Sequence, residues 1–272
     1  MSRSLSDDGW SDLLERAAEA EAEQRHRFPG DAAASQPLHT LYVPADRITP
    51  TTTVEFGTEA LRLLETHAPD PAAFEEAFGV DAPVAERART RVHAKLERQP
   101  VEDLRVDFED GYGARPDDEE DRHAEEAARA VHAARESGTA PVSFGLRVKS
   151  FADGRQARSV RTLVMFLTTL IEAAGGLPEG FVVTFPKVNT AEHVAIFAEV
   201  LERLELGLGL ADGTLRFEVQ VETPRSVIAP DGAVAAPRIL DAAGGRLTAM
   251  HVGVFDYTAS LGLMPWEQRL DH

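Results

Sequence analysis

Apolar and polar positions alternate with a period of two in several short stretches of this chain, and each stretch runs into a turn signal. The fullest example is LRFEVQVETPRS at 215–226, where Phe217, Val219 and Val221 alternate with Glu218 and Gln220 before Glu222, Thr223 and Pro224 end the run. The same reading predicts strands within LHTLYVPAD at 38–46, where Pro44 ends the run, at Leu104–Phe108, Ser143–Val148 and Phe181–Phe185, and at Leu247–Phe255. Helical stretches fall between them. They are expected over 51–66, over 71–96 with a break near Gly79 and Pro83, over 117–136, over 156–174, from a cap at Asn189 or Thr190 to about 204, and over 232–243. Ahead of the first strand, residues 1–37 are polar. They predict a helix over 10–25, with Ser11 or Asp12 near its cap, and a linker at 29–35.

Strand and helix alternate at the spacing of βα units, which predicts a parallel sheet over 38–272. A doubly wound sheet and a barrel both fit that spacing. No glycine-rich phosphate-binding turn follows the first strand, and acids recur at several strand ends, which favours a barrel-like site built from many strand tips. The expected fold is therefore an α/β, TIM-barrel-like parallel (β/α) barrel. Six strands are used by Asp256, and two further units would need about 70 residues, so the barrel is expected to be incomplete or open.

Composition narrows the classes. A formal charge of −18 argues against general nucleic-acid binding. No apolar run reaches membrane-spanning length, so no membrane role is expected. Cysteine is absent, which excludes disulfides and thiolate chemistry and makes the cytoplasm the default compartment.

The candidate chemistry lies at the strand ends. Glu222 closes the fifth strand, Asp256 the sixth, and Glu109 with Asp110 the second. Paired carboxylates of this kind are hard oxygen ligands suited to Mg²⁺ or Mn²⁺. The alternatives are a Glu222–Arg225 pair and Asp256 capping the next turn. Arg147, near the end of the third strand, is either an anion clamp or a partner of Glu109 or Asp110. Lys187 is either a Schiff-base nucleophile or an ion-pair partner, and His251 reads as an interior histidine.

Six segments, in order, resemble one superfamily: LYVPAD at 41–46, VDFEDGYG at 106–113, LRV at 146–148, TFPKVNTAEHV at 184–194, VQVETPRSV at 219–227 and HVGVFDYTASLG at 251–262. Together they resemble the HpcH/HpaI aldolase and citrate lyase beta-subunit superfamily, which shares its barrel logic with malate synthase. The resemblance implies a Mg²⁺-dependent carbon–carbon lyase or aldolase acting on a 2-oxo acid or related carboxylate through a stabilised enolate. A malate-synthase-like or acyl-CoA-cleaving member is the alternative, with CoA then part of the substrate. A non-catalytic, truncated homologue or scaffold subunit is a further one. By this resemblance Glu222 and Asp256 match the metal carboxylates, Arg147 the substrate-binding arginine, and Glu109 and Asp110 the acidic strand end near the metal waters. The matched part lacks the last two βα units, which leads to an expected partner: a second copy or a completing subunit.

Overall fold

The computed structural model describes residues 10–28, 30, 36–152 and 154–271. The chain divides into two compact units, 1–37 and 38–272. In the first, helix α1 spans Ser11–Arg27. Its N-cap is Trp10, with no capping side chain, so neither Ser11 nor Asp12 caps it. The linker expected at 29–35 lies outside the described residues except for Gly30.

The second unit is built on six strands: β1 (Leu41–Pro44), β2 (Asp103–Asp107), β3 (Ser143–Arg147), β4 (Phe181–Phe185), β5 (Phe217–Val221) and β6 (Leu247–Val252). They pair in chain order, and every pairing is parallel. This is the open, partial-barrel arrangement that the sequence predicts. Helices α5 (Asp117–Glu136), α6 (Gln156–Ala174) and α7 (Ala191–Leu208) form the connections from β2 to β5. The long excursion between β1 and β2 holds α2 (Thr52–His67), α3 (Pro71–Phe78) and α4 (Ala82–Arg98), which share a small core of Leu64, Ala68, Phe74 and Ala85. The break between α3 and α4 has a local cause. Gly79 takes a left-handed conformation (φ 62°) that ends α3, and Pro83 lies in the first turn of α4.

The period-two pattern sorts the strand residues into two faces. Leu104, Val106, Phe144, Leu146, Val183 and Phe217 lie in the main apolar core with the buried residues of α5–α7. Burial of these large side chains is the main stabilising term, about 1.5–3 kcal/mol each. The other face is charged. Buried Arg105 donates from Nε to Glu218 (3.1 Å) and Thr184 (3.2 Å), and its Nη1 pairs with Asp103. Such a network is stable only because each buried charge meets an opposite one. The sheet curls toward this face. β1 and β6 are its two edges, yet the Tyr42 hydroxyl and His251 Nε2 lie 3.3 Å apart.

At Gly145 of β3 a Cβ would fall 1.7 Å from the Val182 carbonyl oxygen, so the close approach of β3 to β4 requires glycine. The β5–β6 ladder carries a register irregularity at Phe217/Glu218. The helix expected over 232–243 is α9 (Ala236–Ala242), and the sixth strand after it ends at Val252, not at Phe255 as the pattern predicts. Asp256 therefore sits in the first turn of α10 (Val254–Ser260) rather than on a strand tip.

Candidate active site

The site forms where β2, β3, β4 and β5 end and α10 begins. The VDFED sequence positions two of its acids. Asp107 ends β2 and accepts backbone N–H bonds from Glu109 (2.9 Å, Oδ1) and Gly111 (2.9 Å, Oδ2), which winds the chain back over the strand end. Gly113 (φ 77°) closes this turn by donating to the Glu109 carbonyl (2.8 Å). From below, buried Lys149 donates to the carbonyls of Phe108 (2.6 Å) and Gly113 (3.2 Å) and pairs with fully buried Glu120 (2.9 Å).

Arg147, the last residue of β3, forks onto Asp107: Nε to Oδ1 and Nη2 to Oδ2, both 2.7 Å. This is its tightest pairing, and the expected pairing with Glu109 and Asp110 is present as well. Glu109 and Asp110 lie farther off, at 3.6 and 3.8 Å from Nη1, which also reaches Gln220 Oε1 at 3.4 Å. The Arg147 guanidinium stacks on the Tyr42 ring, 4.8 Å from its centre. Its neighbouring acids hold it above the usual arginine range despite the opposing effect of burial. Burial, with Glu218 nearby, raises the Tyr42 hydroxyl to about 12.

Glu222 follows β5 directly. Thr223 caps the short helix α8 (Pro224–Val227) with a reciprocal Thr223–Ser226 capping box, and Pro224 suits the first helical position. This abrupt strand-to-helix turn leaves the buried Glu222 side chain at the sheet end, where Oε1 accepts the Lys187 backbone N–H at 2.7 Å. Gly253 makes room for it, since a Cβ there would meet Glu222 Cβ at 2.6 Å and Oε2 at 2.7 Å. Burial pushes the Glu222 carboxyl up to about 8. The adjacent Asp256 carboxyl adds to the rise, and Lys187 offsets part of it.

Lys187 is the centre of the cluster. Its Nζ lies 2.6 Å from Glu109 Oε1, 2.8 Å from both oxygens of Asp110, and 3.1 Å from Asp256 Oδ2. Burial works against its charge, but the bonds to Asp110 and Glu109 outweigh that and hold the ammonium above the usual lysine range. Among the described residues it is the non-glycine residue with positive φ, at 51°. Such a conformation costs about 1–2 kcal/mol. The Glu222 bond to its N–H maintains it, and Thr223 Oγ1 donating to the Val188 carbonyl (2.7 Å) ties the same turn to β5.

The adjacent acids Glu109 and Asp110 are driven apart. Burial, reinforced by Asp110, raises the Glu109 carboxyl. Asp110 is held below its usual range, because hydrogen bonds from Glu109 and Lys187 outweigh its own burial. The structure thus brings Glu109, Asp110, Glu222 and Asp256 together around one ammonium, with Arg147 beside them. Sequence reasoning missed Asp107; its ion-pair reading of Lys187 holds, but not the central place of that residue. The alternation in VDFED, which puts Asp107 and Glu109 on one face, was the available signal for Asp107.

A divalent cation fits the donor set. Glu222 and Asp256 offer hard oxygens, and the acids here (Asp107, Glu109, Asp110, Glu222 and Asp256) outnumber the cations Lys187 and Arg147. Among the described residues no group of three or more His, Asp or Glu side chains forms a ready metal cage. Two carboxylates are nevertheless what Mg²⁺ usually takes from a protein, with waters and substrate oxygens completing its shell.

The model of one family, described as Domain of unknown function (DUF6986), matches residues 17–272. The chain belongs to that family. A curated relative, the L-malyl-CoA/beta-methylmalyl-CoA lyase of Haloarcula marismortui, is 36% identical over 96 residues, or 35% of this chain and 26% of that protein. Among solved structures, a citrate lyase from Burkholderia xenovorans covers 65% of this chain and 48% of its own, at 21% identity and a TM-score of 0.45. Haloferax volcanii malate synthase, native at 3 mM glyoxylate, covers 63% of this chain and 50% of its own, at 18% identity and a TM-score of 0.49. The chain thus spans about a quarter of the curated relative's length and half or less of these two structures. The curated lyase match agrees with the resemblance to the HpcH/HpaI aldolase and citrate lyase beta-subunit superfamily. No helix among the described residues is long and apolar enough to cross a membrane.

Proposed function

We propose that this chain carries the active site of a divalent-cation-dependent carbon–carbon lyase or aldolase acting on a carboxylated substrate. The observation that carries this reading is the convergence of Glu222 and Asp256 beside the Glu109–Asp110 pair at the ends of parallel strands. Glu222 and Asp256 would hold Mg²⁺ or Mn²⁺. Such an ion, when bound, supplies Lewis-acid stabilisation of the negative charge that carbon–carbon cleavage places on a substrate oxygen.

The protein's own groups do the rest. Arg147 spends Nε and Nη2 on Asp107 and keeps Nη1 toward the cluster, where it would orient a substrate carboxylate. Glu109, raised by burial, is the acid suited to hold a proton, and Asp110 is the one suited to stay ionised. As the carbon–carbon bond breaks, ionised Asp110 would take the substrate hydroxyl proton and Glu109 would deliver its own proton to the released carbon, and condensation would run both transfers in reverse. The printed name of the curated relative favours a second substrate reading, an acyl-CoA ester rather than a free 2-oxo acid.

The test is cleavage of a panel of 2-oxo acids and hydroxyacyl-CoA esters with Mg²⁺ and with chelator, comparing the parent with Glu222→Gln. Metal-dependent turnover that falls at least 100-fold in the variant supports the reading. Equal metal-dependent turnover in both removes Glu222 from its role.

A further inference from the structure

Resting on the reading of Glu222 and Asp256 as cation ligands, we infer that the Lys187 ammonium competes with a divalent cation for the carboxylates of this site, and that cation binding displaces it. Four carboxylate oxygens from Glu109, Asp110 and Asp256 lie within 3.1 Å of Nζ. An ammonium has three N–H donors, so these oxygens share it. One of them belongs to Asp256, a proposed ligand, and the lysine's own backbone N–H binds the other, Glu222. The ammonium therefore occupies coordination space that a cation on Asp256 needs, and two positive charges at that point repel.

The backbone shows that the placement is imposed. Lys187 keeps its left-handed φ of 51° under the hold of the Glu222 hydrogen bond, and a residue with no need to aim its side chain would relax. The way out is open, since the Lys187 side chain is 26% exposed and those of Asp110 and Asp256 are 52% and 41% exposed. Displacement leaves the backbone bond to Glu222 in place and exchanges one counter-ion for another. The acids are held together in either case, which limits their mutual repulsion.

The experiment titrates Mn²⁺ by electron paramagnetic resonance into the parent, Lys187→Met, Lys187→Gly and Glu222→Gln. In parallel, acylation of Lys187 by an amine-reactive ester is followed by mass spectrometry with and without Mn²⁺. Glycine adopts φ 51° without strain, so the second variant keeps the fold if methionine does not. The expected result is at least tenfold tighter Mn²⁺ binding in both lysine variants and at least fivefold faster acylation of parental Lys187 when Mn²⁺ is bound, with binding lost in Glu222→Gln. If Mn²⁺ binds through Glu222 while Lys187 acylation is unchanged or slower, displacement is overturned and the metal site stands. If Mn²⁺ binds neither the parent nor the lysine variants, the metal site falls and this inference falls with it.

Discussion

Removing either partner of the Arg147–Asp107 fork tests the logic of the site directly. Both side chains are buried, at 9% and 2% exposure, and they meet through two 2.7 Å bonds. Arg147→Met leaves the Asp107 carboxylate with only the backbone N–H groups of Glu109 and Gly111. Asp107→Asn leaves the guanidinium facing a neutral amide and two more distant acids. Breaking a buried pair from one side costs about 3–5 kcal/mol, chiefly because the surviving charge is stranded. With a urea dependence of about 3 kcal/mol per molar, each single variant should unfold roughly 1–1.7 M earlier. The double variant strands no charge, so its loss should not exceed the larger single loss by more than about 1 kcal/mol. The assay is urea unfolding of all four proteins, followed by circular dichroism at low salt. The expected coupling is at least about 2 kcal/mol. Additive losses, with coupling below about 0.5 kcal/mol, would refute the claim that the fork is the principal counter-charge of Asp107.

Two further outcomes follow from the same physics. Gly145→Ala should lose at least about 3 kcal/mol in urea unfolding, because a methyl cannot stand 1.7 Å from the Val182 oxygen without parting β3 from β4; an unchanged midpoint would contradict that packing. Burial, with the Arg105 and Arg147 charges adding, holds the His251 ring below its ordinary value. The unfolded chain therefore takes up a proton near about pH 6.5 that the folded chain resists, and His251 costs stability as the pH falls through that value. Thermal melts at pH 7 and pH 5 should show a larger acid-side loss for the parent than for His251→Gln, and an equal loss in both would contradict it.

Much of this molecule was legible in its sequence because local signals and tertiary context agree. The runs of β2–β5 became strands because their apolar sides had α5, α6 and α7 to cover them, whereas β6 forms on its ladder with β5 and leaves Met250 and Val252 exposed. Thr190 caps α7, and the Gly79 and Pro83 interruption separates α3 from α4, both from chemistry confined to a few residues. Asp256 was misplaced because VGVFD continues the apolar alternation, while the chain leaves the sheet at Gly253 and turns into α10. The tightest partner of Arg147 was hidden for a different reason. Asp107 and Arg147 are forty positions apart and meet only through the β2–β3 register. Lys187 gave no conformational warning either. The residues that signal a left-handed turn are glycine and asparagine, and its φ is held by Glu222 from the turn after β5.

The room that Gly253 leaves for Glu222 has a consequence for inheritance. Any side chain at 253 would occupy the space of the Glu222 carboxylate, so the two positions are not free to vary separately. A descendant that lost the acid at 222 would be released to accept alanine or serine at 253. One that gained a side chain at 253 first would have its acid forced out of place before any change at 222 itself. Across relatives, glycine at 253 should therefore travel with the acid at 222. Copies of this domain that have abandoned its chemistry should be recognisable by a substituted glycine, even where the glutamate still stands in the sequence.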